Sequence, residues 1–558
     1  MRSSSQVDMI SEKDIAFPRL TDAQIASLEP RGRRRAVRAG EVLFAEGDRG
    51  FGCYVVLTGA IEMFESSRGD PHIIVVHEAQ QFTGDVDLLA GRAAVVTARV
   101  AEDGEVLELS ALALRQAVDE WPELGEVVLK AFLMRRSLLL SDGFEGLKII
   151  GSRFSIDAHR LRDFATRNAI PFTWIDLESN PHAEELLRQF GIPASETPVV
   201  VGREGRFLRR PSIEDLARCA GLDVVLDPAE LHDLIVVGAG PAGLAAAVYG
   251  ASEGLDVLVL ERLATGGQAG TSSRIENYLG FPAGISGVEL TRNALLQAQR
   301  FGARIDIPGT VVRLGIDEGV RVLTLADGTK LRTRCILIAT GVSYRRLDLP
   351  RFREFEGAGV YYAATEMEAR LCRGDDVAVV GAGNSAGQAI VYLSRYARTV
   401  HVIVRGDDLG TSMSRYLVDR VEHIDNVVIH RRAVVSAVEG NGHLTGISVR
   451  NGSGQETRLN TPALFMFIGA DPNTNWLSGC IELDAKGFVL TDQQLPREIA
   501  ENARWSAIGR TPFLLETSLP GVFAAGDVRS GSVKRCASAV GEGAIAVSFV
   551  HQHIGKAL

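Results

Sequence analysis

The feature that most constrains the fold is a glycine-rich turn between a strand and a helix, and it occurs twice. Leu234-Ile235-Val236-Val237 runs straight into Gly238-Ala239-Gly240-Pro241-Ala242-Gly243. A helix-like stretch follows from Leu244 to Gly254, and a second apolar strand, Val257 to Leu260, ends on Glu261, 18 residues beyond Gly243. Strand, turn, helix, strand and terminal acid together make a βαβ unit. Gly238 permits the tight turn, Gly240 lets backbone approach a pyrophosphate, and Gly243 lets helix and strand pack closely. The helix N-terminus, with its unpaired N–H groups and positive dipole end, favours the anion. Glu261 is placed to accept hydrogen bonds from an adenosine ribose.

The second turn follows Val377-Ala378-Val379-Val380 and reads Gly381-Ala382-Gly383-Asn384-Ser385-Ala386. Its next strand, Val400 to Val404, ends on Arg405 instead of an acid. An acid there would hold a 2′-hydroxyl and repel a 2′-phosphate, and a base does the reverse. Arg405 therefore favours NADPH over NADH, unless it is simply a solvated strand-end arginine.

The chain has 558 residues, enough for three to four domains at the usual size of roughly 150 residues each. A formal net charge of -10 argues against a general nucleic-acid or anionic-membrane surface. The one basic cluster, Arg31-Gly32-Arg33-Arg34-Arg35, reads as a solvated turn. The polar stretch Met1 to Ile10 lacks the apolar core of a secretory signal, and no apolar run is long enough to span a bilayer. The six cysteines, Cys53, Cys219, Cys335, Cys372, Cys480 and Cys536, form no Cys-x-x-Cys pair and no metal-ligand spacing. That usage fits a reducing, cytoplasmic setting.

The pattern divides into a polar leader (1–22), a block of short β-like runs with a helical tail (23–140), an alternating strand–helix block (145–222), and the segment carrying the two turns. Within the helical tail, Leu112 to Leu140, the periodicity breaks at Pro122. Asp227-Pro228 reads as a linker turn.

Residues 230–558 resemble the thioredoxin reductases, members of the pyridine nucleotide-disulfide oxidoreductases. Gly266-Gly267-Gln268, followed by Glu276-Asn277-Tyr278, is similar to the family segment that wraps the isoalloxazine. Cys335-Ile336-Leu337-Ile338-Ala339-Thr340-Gly341 resembles the crossover strand and its Ala-Thr-Gly turn, and Ile468-Gly469 with Pro472-Asn473-Thr474 the return strand. Val522-Phe523-Ala524-Ala525-Gly526-Asp527 resembles the last flavin motif, whose Asp meets the ribityl chain. Lys534-Arg535-Cys536-Ala537, ahead of Gly541-Glu542-Gly543, resembles the helix whose N-terminus faces the flavin pyrimidine. The resemblance implies FAD on the first turn, NADPH on the second, hydride transfer between them, a homodimer, and rotation between an FAD domain (230–345 and 470–558) and an NADPH domain (346–469). The fold class is thus α/β, with two Rossmann-like domains.

The departure from the family lies at its active dithiol. The segment matching Cys-Ala-Thr-Cys is Ala363-Ala364-Thr365-Glu366, and neither Ala363 nor Glu366 can form a thiolate or a disulfide. Cys372, six residues past Glu366, has no nearby cysteine and reads as structural. The family's His-Arg-Arg phosphate motif is reduced to Val404, Arg405 and Gly406.

Residues 23–140 resemble a cyclic-nucleotide-binding β-roll, with Gly40, Gly47 and Gly59 at its turns and Phe82-Thr83-Gly84-Asp85-Val86-Asp87-Leu88-Leu89 as the phosphate cassette. The cassette acid, Asp85, is one methylene short of the family's Glu, and the phosphate-pairing Arg is missing near Ala94, with only Arg92 close by. A buried phosphate without a bidentate Arg is hard to neutralise. A docking or dimerisation module and a ligand sensor both remain open. Residues 145–222 resemble a glutaredoxin-like thioredoxin fold, with Thr197-Pro198 as its cis-proline turn and Ser155-Ile156-Asp157-Ala158 in place of Cys-x-x-Cys. A structural or partner-binding role is implied there.

Three functions follow. The first is an NADPH-dependent FAD reductase whose acceptor, a protein or a small molecule, is not an internal disulfide. The second is a regulatory flavoprotein working with the N-terminal modules. The third is a thioredoxin-disulfide reductase acting through other cysteines.

Overall fold

The computed structural model describes residues 12–555 apart from 66–71, 142–146, 181–186, 189–190, 203–206, 273–274, 276, 318, 357, 363, 365, 411–412 and 502. The chain divides into two compact units. One comprises Met1–Ile150, Asn168–Val224 and Gln299–Phe301, and the other Gly151–Arg167, Val225–Ala298 and Gly302–Leu558.

In the second unit each glycine-rich turn sits at the carboxyl end of the central strand of a sheet. The first sheet runs Arg304–Asp306, Val257–Leu260, Leu231–Val237, Lys330–Ile338, then the antiparallel pair Val320–Leu325 and Val311–Asp317, with Val522–Ala524 added parallel to Lys330–Ile338. Leu234 pairs with Cys335 and Val237 with Ile338 in parallel register. The apolar run Leu234–Val237 is buried on both faces, as a parallel strand between helical layers must be. The second sheet is wholly parallel: Val360–Tyr361, Ala463–Met466, Asp376–Val380, Thr399–Val404 and Val427–Arg431. The chain crosses between the sheets along Val342–Tyr344 and returns along Ala470–Pro472, and these segments pair antiparallel.

Two helices cover the first turn. Pro241–Ser252 begins with Pro in its first turn, where the missing N–H costs nothing. It packs against the C-terminal helix Cys536–Ile554 at backbone distance, because a Cβ on Gly543 would overlap the carbonyl oxygen of Ala242.

The first unit contains a β-roll in which the long strands Cys53–Glu65 and Thr97–Leu109 pair antiparallel, flanked by Arg33–Val37, His72–His77 and Val42–Phe44. Helices Ala111–Glu120 and Pro122–Ser141 follow, parted at Trp121 where the proline predicts a break. Two readings change. Arg33–Val37 is a strand and not a turn, and its arginines pair across it: Arg34 with Glu29 and Glu105, Arg35 with Glu41 and Glu108. The supposed leader also contributes a helix, Glu12–Ala16, and buried Ala16 and Leu20. A small sheet in the order Phe172–Asp176, Leu147–Gly151, Val199–Val201, Phe207–Arg209 carries the cis Thr197-Pro198 bond that the thioredoxin-like reading expects. Asp227 accepts from the Ala229 N–H in an Asx turn, the linker chemistry expected at Asp227-Pro228.

Gly543→Leu should destabilise the second unit by about 3 kcal/mol, as overpacking against backbone leaves no soft neighbour to move. Urea denaturation followed by far-UV circular dichroism checks this.

Candidate functional site

The glycines of the two turns divide into those that make the turn and those that open onto a cavity. Gly238 has φ +105°, and a Cβ there would overlap the carbonyl of Ala339. Gly381 has φ +138°, and a Cβ there would overlap the carbonyl of Phe467. Both conformations favour glycine. At Gly243 a Cβ would overlap the carbonyl of Gly238, while the equivalent Ala386 of the second turn is accommodated and fully buried. The middle glycines behave differently. A Cβ on Gly240 would meet only the Gly267 Cα at 3.9 Å, and one on Gly383 would meet nothing within 4 Å. Gly240 and Gly383 are the N-caps of helices Pro241–Ser252 and Asn384–Leu393, and neither helix start is capped by a side chain. The free N–H groups of both helices therefore point toward open space.

That space is one cavity of about 1280 Å³, walled by both turns. Pro241, Ala242, Asn384 and Ser385 line it with the two middle glycines. Asn384 also accepts from the Ser414 N–H through Oδ1 at 2.6 Å, which ties the second turn to the following helix. Gly267, Gln268 and Asn277 come from the segment after the first βαβ unit, and Gly341 from the crossover. Gln268 Nε2 donates to the carbonyl of Val342 at 2.7 Å. Gly526, Asp527, Arg535 and Cys536 close the wall from the C-terminal motif.

The remaining expected residues divide between the frame behind this wall, the wall itself and the surface. Gly266, at φ +97°, faces the Thr291 side chain. Thr340 Oγ1 donates to Asn473 O at 2.9 Å, and Asn473 Nδ2 returns a bond to Thr340 O at 2.8 Å, which locks the crossover to the return strand. Ala537 is exposed in the first turn of the C-terminal helix and is not part of the wall. Glu261 braces the turn itself, with Oε2 accepting from Ala239 N at 2.7 Å and Oε1 from Leu263 N at 2.8 Å. Its carboxylate keeps lone-pair capacity for further donors. Arg405 is exposed at the end of Thr399–Val404, lines the cavity, and makes no ion pair or hydrogen bond among the described residues.

The electrostatics of the wall are one-sided. Its charged side chains are Arg345, Arg346, Arg405, Lys486, Lys534 and Arg535 against Asp408 and Asp527, six basic to two acidic. Such a lining holds polyanions in a chain whose overall charge is -10. Arg345, Arg346 and Lys486 went unnoticed in the sequence, although Arg345-Arg346 directly follows the crossover motif. Glu542 fixes the loop that presents Asp527, because its Oε2 accepts from Gly526 N at 2.7 Å and its Oε1 pairs with Arg529 at 2.6 Å. Burial pushes the Asp527 carboxyl up, against the pull of Lys534.

Cys536 is the only cysteine lining the cavity among the described residues. Burial, helped by Asp527, pushes its thiol up to about 11. Burial pushes Cys53, Cys335 and Cys372 up to about 12. No disulfide joins any of the six cysteines. Ala363 lies outside the described residues, as does the side chain of Glu366, which opens the helix Glu366–Leu371. In the segment Ser155-Ile156-Asp157-Ala158, Ser155 Oγ accepts from Ala158 N at 3.2 Å at the start of Ile156–Arg167, so the segment opens with a helix cap.

Among the described residues no helix is long and apolar enough to cross a membrane.

Residues 232–543 match the family profile "Pyridine nucleotide-disulphide oxidoreductase" and residues 34–120 match "Cyclic nucleotide-binding domain". The chain is 35% identical over 332 residues to NADPH-dependent thioredoxin reductase 3 of Arabidopsis thaliana, covering 58% of each chain. It is 32% identical over 327 residues to the thioredoxin reductase of Streptomyces clavuligerus, covering 58% of this chain and 94% of that one. Among solved structures, Lactococcus lactis thioredoxin reductase in its FR conformation superposes with a TM-score of 0.52 at 27% identity, covering 58% of this chain and 99% of that one. The chain belongs to the pyridine nucleotide-disulphide oxidoreductase family, with a thioredoxin-reductase-like body and a cyclic-nucleotide-binding-type domain ahead of it. It spans little more than half the length of the Arabidopsis relative. FAD and NADPH are the cofactors of this family. The open middle glycines, the two free helix starts and the basic wall fit both dinucleotides.

A thiol with a pKa near 11 is about 0.1% thiolate at pH 8, and the thiolate is the reactive form. Alkylation of Cys536 by iodoacetamide should therefore be slow at pH 8 and climb about tenfold per pH unit through pH 10. Peptide mapping checks this, and fast labelling at pH 7 would show an activated cysteine.

Proposed function

We propose that the chain is an NADPH-oxidising FAD enzyme whose electrons leave to an acceptor other than an internal dithiol. The observation that carries this reading is one basic cavity entered by two free helix N-termini, with one cysteine among the described residues of its wall, its thiol pushed up to about 11 by burial. On this reading the turn from Gly238 to Gly243 and the start of Pro241–Ser252 hold the FAD pyrophosphate, and Glu261 accepts from the adenosine ribose. Gly266, Gly267, Gln268 and Asn277 would hold the flavin ring, together with Thr340 and Gly341 of the crossover turn. Gly526 and Asp527 meet the ribityl chain, while Arg535, Cys536 and Ala537 present a helix N-terminus to the pyrimidine. Gly381, Gly383, Asn384, Ser385 and Ala386 hold the NADPH pyrophosphate, and Arg405 meets the 2′-phosphate. Bound there, the flavin supplies an acceptor for the nicotinamide hydride.

Whether the acceptor is a protein or a small molecule is decided by the exit, and Ala363 and Glu366 supply none through sulfur. The working unit on this reading is a homodimer. A second reading, a regulatory flavoprotein, is favoured by the β-roll, which a reductase does not need for chemistry. Disulfide reduction through other cysteines is disfavoured by the raised thiols of Cys53, Cys335, Cys372 and Cys536.

Anaerobic NADPH should bleach the flavin of the purified protein, while neither thioredoxin nor an aromatic disulfide is reduced. A flavin that stays oxidised would overturn the reductase reading, and rapid thioredoxin reduction would overturn the claim about the acceptor. Gly240→Val should give a colourless, folded protein, because a side chain there fills the cavity without striking the fold. Arg405→Ala should raise KM for NADPH about tenfold, roughly 1.4 kcal/mol, and leave NADH oxidation unchanged in stopped-flow assays.

A further inference from the structure

A second cavity, of about 240 Å³, opens between the β-roll, the segment Lys13–Phe17 and helix Pro122–Ser141, and Phe44, Phe51, Met63, Val75, Val95 and Leu138 are part of its wall. Engineered apolar cavities of about 150 Å³ already admit a benzene-sized molecule. Three buried ionisable side chains line this one, Glu65, His77 and Arg135, together with Asp85, whose side chain is 12% exposed. Arg135, from helix Pro122–Ser141, is 6% exposed and donates only to neutral carbonyls: Ala16 O at 2.7 Å, Gly84 O at 2.6 Å and Phe82 O at 2.9 Å. The rings of Phe17, Phe82 and Phe132 surround its guanidinium, 4.7–5.7 Å away. No described carboxylate forms an ion pair with it, although buried charges are ordinarily paired. His77 is 2% exposed, and its Nδ1 has no hydrogen-bond partner among the described residues. Burial, reinforced by Arg135, holds the imidazole neutral. Arg135 and His77 both pack on the ring of Phe17.

The groups a cyclic nucleotide would need are occupied or missing. Asp85 caps helix Val86–Ala90 by accepting from Asp87 N, and pairs with Arg136 at 3.0 Å. Arg92, the nearest candidate for the phosphate, lies against Asp87, which also pairs with Arg136. Ala94, Val95 and Val96 stand where the phosphate-pairing arginine would be. Glu65, the other buried acid of the wall, is already engaged within the protein. Ribose hydroxyls would be buried against Val, Met and Phe without partners, at full desolvation cost.

We propose that this cavity binds a compact apolar monoanion, a small carboxylic acid whose carboxylate faces Arg135 and His77, and not a cyclic nucleotide. The carboxylate gives Arg135 a direct ion pair, where Asp85 acts on its charge only from beyond ion-pair distance, and gives His77 Nδ1 an acceptor, and the apolar body fills the Phe–Met–Val wall.

Calorimetric titration of the full chain tests this with octanoate, benzoate, 1-octanol, cyclic AMP and cyclic GMP. Saturable binding of octanoate or benzoate, at least tenfold tighter than 1-octanol and with no heat from either cyclic nucleotide, is the expected result. Val75→Trp should abolish that binding by filling the cavity, and His77→Phe, which keeps the ring contact, should weaken it about tenfold. Near-UV circular dichroism confirms that each variant is folded, and NADPH bleaching of the flavin is unchanged in both. Cyclic nucleotide binding, equal binding of the alcohol and the acid, no saturable binding of either acid, or undiminished binding by folded Val75→Trp would each overturn the proposal.

Discussion

Everything in the flavoprotein body depends on one close approach made twice: a strand-end glycine pressed against the backbone of the neighbouring crossover. Gly238 lies under the carbonyl of Ala339, and Gly381 under that of Phe467. Only a residue without a Cβ, at positive φ, can turn the chain there. That turn is what brings a helix N-terminus to the carboxyl edge of a parallel sheet, with its first N–H groups unpaired. Two such ends opening into one basic cavity make an anion site before any side chain is considered. The side chains then stabilise the frame: Glu261 ties down the first turn, Glu542 the Gly526 loop, and Thr340 with Asn473 the crossover ribbon.

Input and output are unequally equipped. A glycine-rich turn and a free helix start stand on both sheets, while the positions matching the dithiol of the thioredoxin reductases are Ala363 and Glu366, which carry no sulfur. Ser155 accepts from Ala158 N and so caps the start of its helix. The remaining thiols with raised pKa are held protonated chiefly by burial, which suits packing and not nucleophilic attack.

In the β-roll the cassette acids are engaged from within the chain. Arg136 from the following helix pairs with both Asp85 and Asp87. The same helix turns Arg135 inward among aromatic rings and carbonyls. Helix and cassette thus use up each other's polar groups, and the interior left behind is mostly apolar.

The sequence by itself determined the elements whose cause is local. Glycine spacing after an apolar strand dictates a βαβ turn, a proline breaks the helical tail at Trp121, and Asp227-Pro228 makes a turn. It also settled that Ala363 and Glu366 cannot do sulfur chemistry, since that follows from residue type alone. Tertiary structure decided what depends on residues far apart in the chain. The run Arg31–Arg35 reads as a turn until Glu29, Glu41, Glu105, Glu108 and Glu120 gather around it. The polar leader hides Ala16 and Leu20, which only packing against the β-roll and its last helix can bury. The cavity's basic balance arises from Arg345, Lys486 and Lys534, separated by up to 189 positions. Charge acts through space, so a pattern read along the chain reaches a site only when its residues are neighbours in sequence.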